Sequence, residues 1–178
     1  MSFLLALSLS TGFFCGVWAA IAAVPSLGLI TWAGFAGCTA YFASGKHGIE
    51  GMSAAIFSTM SGVVSALIAL FISGKFPGIP VVAILMTGII SGTMCLKSAV
   101  KPLWFIPGAF IGCFSTFAYV STGVNIFSAA LLPHVLSILS GSILALCCDK
   151  GGNLLFKVFG KQEDTVQEDI TQEHIIQD

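Results

Sequence analysis

The sequence predicts an all-α membrane protein: six transmembrane helices arranged as a 3+3 inverted-topology repeat, with both termini in the cytoplasm. Three observations carry that expectation. Apolar residues make up 56% of the chain and charged residues only 8%, with a mean hydropathy of +0.99, outside the range of soluble domains. Six apolar stretches approach the ~20 residues a bilayer span needs. Short motifs also recur in order at a nearly constant spacing, as in FAGCTAYFA at 35–43 and FIGCFSTFA at 110–118.

The six stretches are residues 3–23, 27–44, 50–73, 79–96, 102–120 and 125–147. Ala20-Ile21-Ala22 resembles a signal-peptide cleavage site, but no Lys or Arg precedes the first apolar run, so it reads as a span. Residues 1–148 therefore form one six-span domain with halves of 1–75 and 76–148. Residues 149–178 form an acidic cytoplasmic tail. With the N-terminus inside, Lys46, Lys97, Lys101, Lys150, Lys157 and Lys161 fall on the cytoplasmic side and only Lys75 outside, a positive-inside bias.

The repeat extends beyond the opening pair. Thr11-Gly12-Phe13-Phe14-Cys15-Gly16 answers Thr87-Gly88-Ile89-Ile90-Ser91-Gly92, and Ser53-Ala54-Ala55 answers Ser128-Ala129-Ala130. Ala54, Ser58, Gly62 and Ala66 correspond to Pro133, Ser137, Gly141 and Ala145, four residues further on, which is about one helical turn and keeps the face. Three spans followed by three more place the second copy in the opposite orientation. Such repeats hold solute sites near the midplane in transporters, an analogy of fold and not a proof of function.

Small residues lie on one face of each repeated helix: Gly12/Gly16 in span one, Ala33/Gly37 in span two, Gly88/Gly92 in span four and Gly108/Gly112 in span five. In lipid, close backbone approach through such residues drives helix association. Phe35 and Phe42 lie opposite Gly37, and Phe110 and Phe117 repeat the pattern. Two readings stand: rings that face lipid or fill packing, or rings that constrict a path at two depths. Pro107 lies within span five, where an interior proline kinks a helix and frees carbonyls. His134, next to Pro133, falls near the expected middle of span six, a costly place for an ionisable group. It is either a solute-path residue or a neutral ring bonded to a neighbour.

No Asp or Glu falls in the middle of a span, and Glu50 sits beside Lys46 and His47 at the start of span three. Passive movement of an uncharged solute fits that inventory better than ion-driven transport. Aquaporins share the inverted repeat, but the only asparagines here, Asn125 and Asn153, do not precede proline, and there is no Arg. The six cysteines read as small apolar residues without metal-site spacing. No phosphate loop, nucleophile–base pair or cofactor motif is present, so neither an enzyme nor a nucleic-acid binder is expected. The expectation is a homo-oligomeric channel or facilitator for a small neutral solute. The alternative is a scaffold acting through its acidic tail.

TGFFCGVW, SLGLITWAGFAGCTAYFA, GMSAAIFSTMSGVV and FIPGAFIG together resemble a family of small bacterial inner-membrane proteins, the domain-of-unknown-function 1097 group that includes YcdZ. The resemblance covers most of residues 1–148. It implies a multi-span bundle in the bacterial cytoplasmic membrane and supplies no substrate or site residues.

Overall fold

The computed structural model describes residues 1–126 and 128–160. Six α-helices and two short 3-10 turns follow one another: α1 Phe3–Ala22, the turn Pro25–Leu27, α2 Thr31–Ala43, α3 Gly48–Gly74, α4 Pro80–Lys97, the turn Lys101–Leu103, α5 Ile106–Val120 and α6 Leu131–Phe159. The order helix, turn, helix, helix thus occurs twice. No strand is present among the described residues.

Four helices, α1, α3, α4 and α6, are long and apolar enough to cross a membrane. α2 and α5 are not: at 13 and 15 residues they rise only about 20 Å against a hydrocarbon core of about 30 Å. The helices inside the expected spans 27–44 and 102–120 are therefore shorter than those stretches, although α2 still runs along α6 from Ser137 to Asp149. Pro25 opens the first turn, Gly28 adopts the left-handed conformation that closes it, and Ile30 is extended, so α2 starts only at Thr31. α5 is delayed in the same way by Pro102 and Pro107.

Pro107 also departs from expectation. It occupies the first turn of α5, where a missing N–H costs nothing, so it starts the helix and does not kink it. α6 begins later than expected, at Leu131, and continues unbroken past Asp149 to Phe159. The acidic sequence from Lys161 onward lies outside the described residues.

The tightest contacts join α3 to α5 and α2 to α6, with α1 lying along α6 and α4 along α3. A Cβ at Gly37 would fall on the carbonyl oxygen of Ile138, and one at Gly112 on that of Thr59. A Cβ at Gly141 would fall on the carbonyl of Gly34, and one at Gly62 on that of Ala109. The two members of each set occupy corresponding positions of the two halves. Backbone therefore touches backbone at four glycines in two helix crossings, α2 on α6 and α3 on α5, as membrane helices with small interfacial residues allow.

Gly12, Gly16, Gly88 and Gly92 behave differently. Nothing lies within 4 Å of a Cβ built at any of them, so these pairs do not pack the bundle of a single chain as expected. α1 and α4 turn other residues inward, Ala6, Ser10 and Trp18 in one and Ile90 and Met94 in the other.

The two glycine classes separate by experiment. Gly37→Leu or Gly112→Leu should destabilise the folded chain by about 3 kcal/mol or more, at or above the top of the range for overpacked cores, because the obstacle is backbone. Gly12→Ala and Gly88→Ala should be neutral or stabilising by up to about 1 kcal/mol through helix propensity. Thermal unfolding in detergent micelles, monitored by tryptophan fluorescence, gives the comparison.

Candidate functional site

Polar groups close to the first turns of the two short helices define the site. At α2, the Ile30 N–H donates to Ser137 Oγ at 2.8 Å, and Ser137 passes its own proton to the Pro133 carbonyl at 2.6 Å. The Trp18 indole N–H donates to the Thr31 carbonyl at 3.1 Å. At that end the Ile30 N–H, the Ser137 hydroxyl and the Trp18 indole N–H each have a partner.

The corresponding end of α5 differs. Ser58 takes the place of Ser137 and is fully buried, yet its Oγ has no hydrogen-bond partner among the described residues. Gly108, in the first turn of α5, packs directly against Ser58 and the ring of Phe105, and Phe105 is itself buried. An unpaired buried hydroxyl costs about 1–3 kcal/mol. A bound hydrogen-bonding molecule would remove that penalty.

His134 belongs to the other end of this system. It lies in the first turn of α6, not near the helix middle as expected, because α6 starts at Leu131 and runs to Phe159. Its ring is fully buried, stacked on Tyr119 at 5.0 Å and tilted against Trp32 of the first turn of α2 at 5.7 Å. Nε2 lies 3.3 Å from Thr116 Oγ1, whose proton already goes to the Gly112 carbonyl at 2.8 Å. Thr116 is therefore the acceptor and Nε2 carries the hydrogen. That leaves Nδ1 as a bare acceptor without a partner among the described residues.

Pro107 thus lies exposed in the first turn of α5, and His134, from α6, packs against Trp32 in the first turn of α2. The phenylalanines do not join them. Phe35, Phe42 and Phe110 are each more than a third exposed, on the outer surface of their helices. Phe117 packs on the cluster of Ala66, Ile90, Met94, Ala109 and Cys113. A constriction inside one chain is corrected on that ground: the inward faces are taken by Ala33, Gly37 and Ala40 in α2 and by Ala109, Gly112 and Thr116 in α5.

A second polar cluster, which the sequence did not reveal, closes the opposite end of the bundle. Asp149 is 2% exposed and its carboxylate accepts from Tyr41 OH at 2.6 Å, Gly48 N–H at 3.2 Å and Asn153 Nδ2 at 3.2 Å. His47 Nδ1 lies 3.0 Å away, with its ring largely exposed. Tyr41 OH in turn accepts from Gly48 N–H at 2.7 Å. Asp149 thereby ties the end of α2 and the start of α3 to α6, through partners about a hundred residues distant in sequence. Glu50 pairs with exposed Lys46 at 3.1 Å, as expected. Among the described residues no three His, Cys, Asp or Glu side chains are grouped to hold a metal.

The arrangement is that of an apolar, integral membrane bundle with neutral hydrogen-bonding groups buried between helices. The inner membrane protein YcdZ of Escherichia coli K12 is 40% identical over 118 residues, which cover 66% of this chain and 71% of that protein. Its namesake in Salmonella typhimurium LT2 is 41% identical over 118 residues, covering 66% and 72%. No solved structure matches. Residues 8–153 match the family described as protein of unknown function DUF1097, and the chain belongs to that family.

Proposed function

We propose that this chain is a channel or facilitator for a small uncharged solute in the bacterial inner membrane, without enzymatic chemistry of its own. One observation carries the reading: two unusually short helices stand in corresponding halves of the chain, and unpaired buried polar atoms, Ser58 Oγ and His134 Nδ1, lie beside them. In transporters with internal repeats, such a pair of shortened helices marks the solute site. The solute path runs between the first turns of α2 and α5, with Ser58, Thr116 and His134 offering it neutral donors and acceptors.

The same reading makes the architecture a 3+3 inverted repeat with multi-pass topology and cytoplasmic termini. The doubled order of elements and the matched glycine crossings support the repeat. The lysine distribution supports the orientation. The unfilled glycine pairs on α1 and α4 support a homo-oligomer, since small-residue faces pair helices across chains as well as within them. The names of the relatives support the inner membrane.

Proteoliposomes loaded with the purified chain should pass water, urea or glycerol faster than empty liposomes. Equal permeability for all three would end the reading for those solutes. His134→Ala should lower the flux about fivefold, the equivalent of one lost hydrogen bond of about 1 kcal/mol, with assembly intact. Identical flux in His134→Ala and the parent chain, measured from about pH 5 to pH 8 where histidine normally titrates, would return His134 to a packing role. Ser58→Ala, which removes an unpaired buried hydroxyl, should stabilise the empty protein slightly while lowering flux; a rise in flux contradicts a solute-binding Ser58.

A further inference from the structure

We propose that Lys97 and Ser65 form a binding site for a small free anion inside the membrane-spanning part of the bundle, separate from the neutral-solute path. Lys97 is the last residue of α4, and by sequence it belongs with the cytoplasmic loop lysines. Its ammonium does not turn outward. Nζ donates to Ser65 Oγ of α3 at 2.7 Å. Ser65 is 2% exposed and sends its own proton to the Ser61 carbonyl at 2.8 Å, so its oxygen is fixed as an acceptor facing the amine.

The depth of that contact is measured along α3. Glu50 stands in the first turn of α3 and Lys75 caps its C-terminus. At 1.5 Å per residue, Ser65 lies about 22 Å from the first and about 15 Å from the second. The ammonium is therefore held within the apolar thickness, and helix geometry explains how: side chains lean toward the N-terminus of their own helix, which for the end of α4 means back into the bundle.

A charge in that position needs compensation, because an uncompensated ion in low dielectric carries a penalty of several kcal/mol. The ion pairs among the described residues are Lys46 with Glu50 and His47 with Asp149; neither involves Lys97. Among the described residues one of the three ammonium donors goes to Ser65, leaving two for a ligand. Lys97 is only partly buried by the chain itself. A lipid headgroup does not reach this depth, since its phosphate stays at the interface. The ligand class is a compact monovalent anion such as formate, nitrate or chloride.

The test uses the purified full chain in nanodiscs of phosphatidylcholine, titrated with sodium formate, sodium nitrate or sodium chloride while unfolding temperature is followed. A saturable rise with at least one of these anions is expected, because a ligand bound only by the folded state raises stability. Lys97→Met should weaken the apparent affinity about tenfold or more, whereas Lys97→Arg should retain it, as expected for a charge-assisted contact. Ser65→Ala, which keeps the charge, should weaken it several-fold and carries the test if Lys97→Met fails to fold. Three outcomes overturn the site: no saturable response to any of the three salts, an unchanged response in Lys97→Met or in Ser65→Ala, or a response that requires phosphatidylglycerol in the disc. Solute flux is a separate readout, so loss of the neutral-solute pathway and loss of this site are distinguishable.

Discussion

Backbone contact at four glycines constrains everything else in this bundle. Where Gly37 meets Ile138, Gly112 meets Thr59, Gly141 meets Gly34 and Gly62 meets Ala109, the helices approach as closely as main chains allow. Hydrophobic association offers little between helices already in lipid, so dispersion at such crossings supplies much of the cohesion. The crossings hold α2 against α6 and α5 against α3, each a short helix against a long one. A short helix can remain in an apolar phase only if its unpaired terminal N–H groups find partners or stay shielded. The glycine crossings provide the shielding, and Ser137 at the head of α2 provides one such partner.

The two heads then differ in a way the repeat makes visible. Ser137 accepts from the Ile30 N–H, while Ser58 at the corresponding position is buried and unpaired. One satisfied and one unsatisfied hydroxyl at corresponding positions give the proposed path a polarity. His134 adds a bare acceptor on the satisfied side, where the other half has Ala55. Both unpaired atoms are neutral hydrogen-bonding groups, which is the chemistry on which the proposal of an uncharged solute rests.

Much of this was legible in the sequence, for reasons that can be named. Hydropathy marks membrane helices because their composition is dictated by lipid, and the four long helices fall where the apolar runs do. The glycines at 37 and 112 were found because small-xxx-small spacing has a packing meaning. The same spacing misled at Gly12/Gly16 and Gly88/Gly92, since it does not say whether the partner helix lies in the same chain. Helix lengths were overestimated for α2 and α5 because Gly28 and Pro102 sit inside the apolar runs 27–44 and 102–120 and delay the helix without marking a break in hydropathy. Asp149 was read as the start of a tail because its partners, Tyr41, His47 and Gly48, lie too far away in sequence for any local signal.

The charged groups complete the contrast between what composition implies and what geometry does. Composition places charges at the membrane surfaces, and Lys46, Glu50 and Lys75 conform. Asp149 is drawn inward and can afford it, because a carboxylate has only acceptor sites and four donors from three elements occupy them. Lys97 is drawn inward as well, but its ammonium is purely a donor, and Ser65 satisfies one of three hydrogens without cancelling the charge. Hydrogen bonds alone therefore complete the aspartate cluster, while the lysine has no counter-charge among the described residues. The asymmetry follows from the chemistry of the two groups, and it is the physical basis of the anion site proposed at the α3–α4 contact.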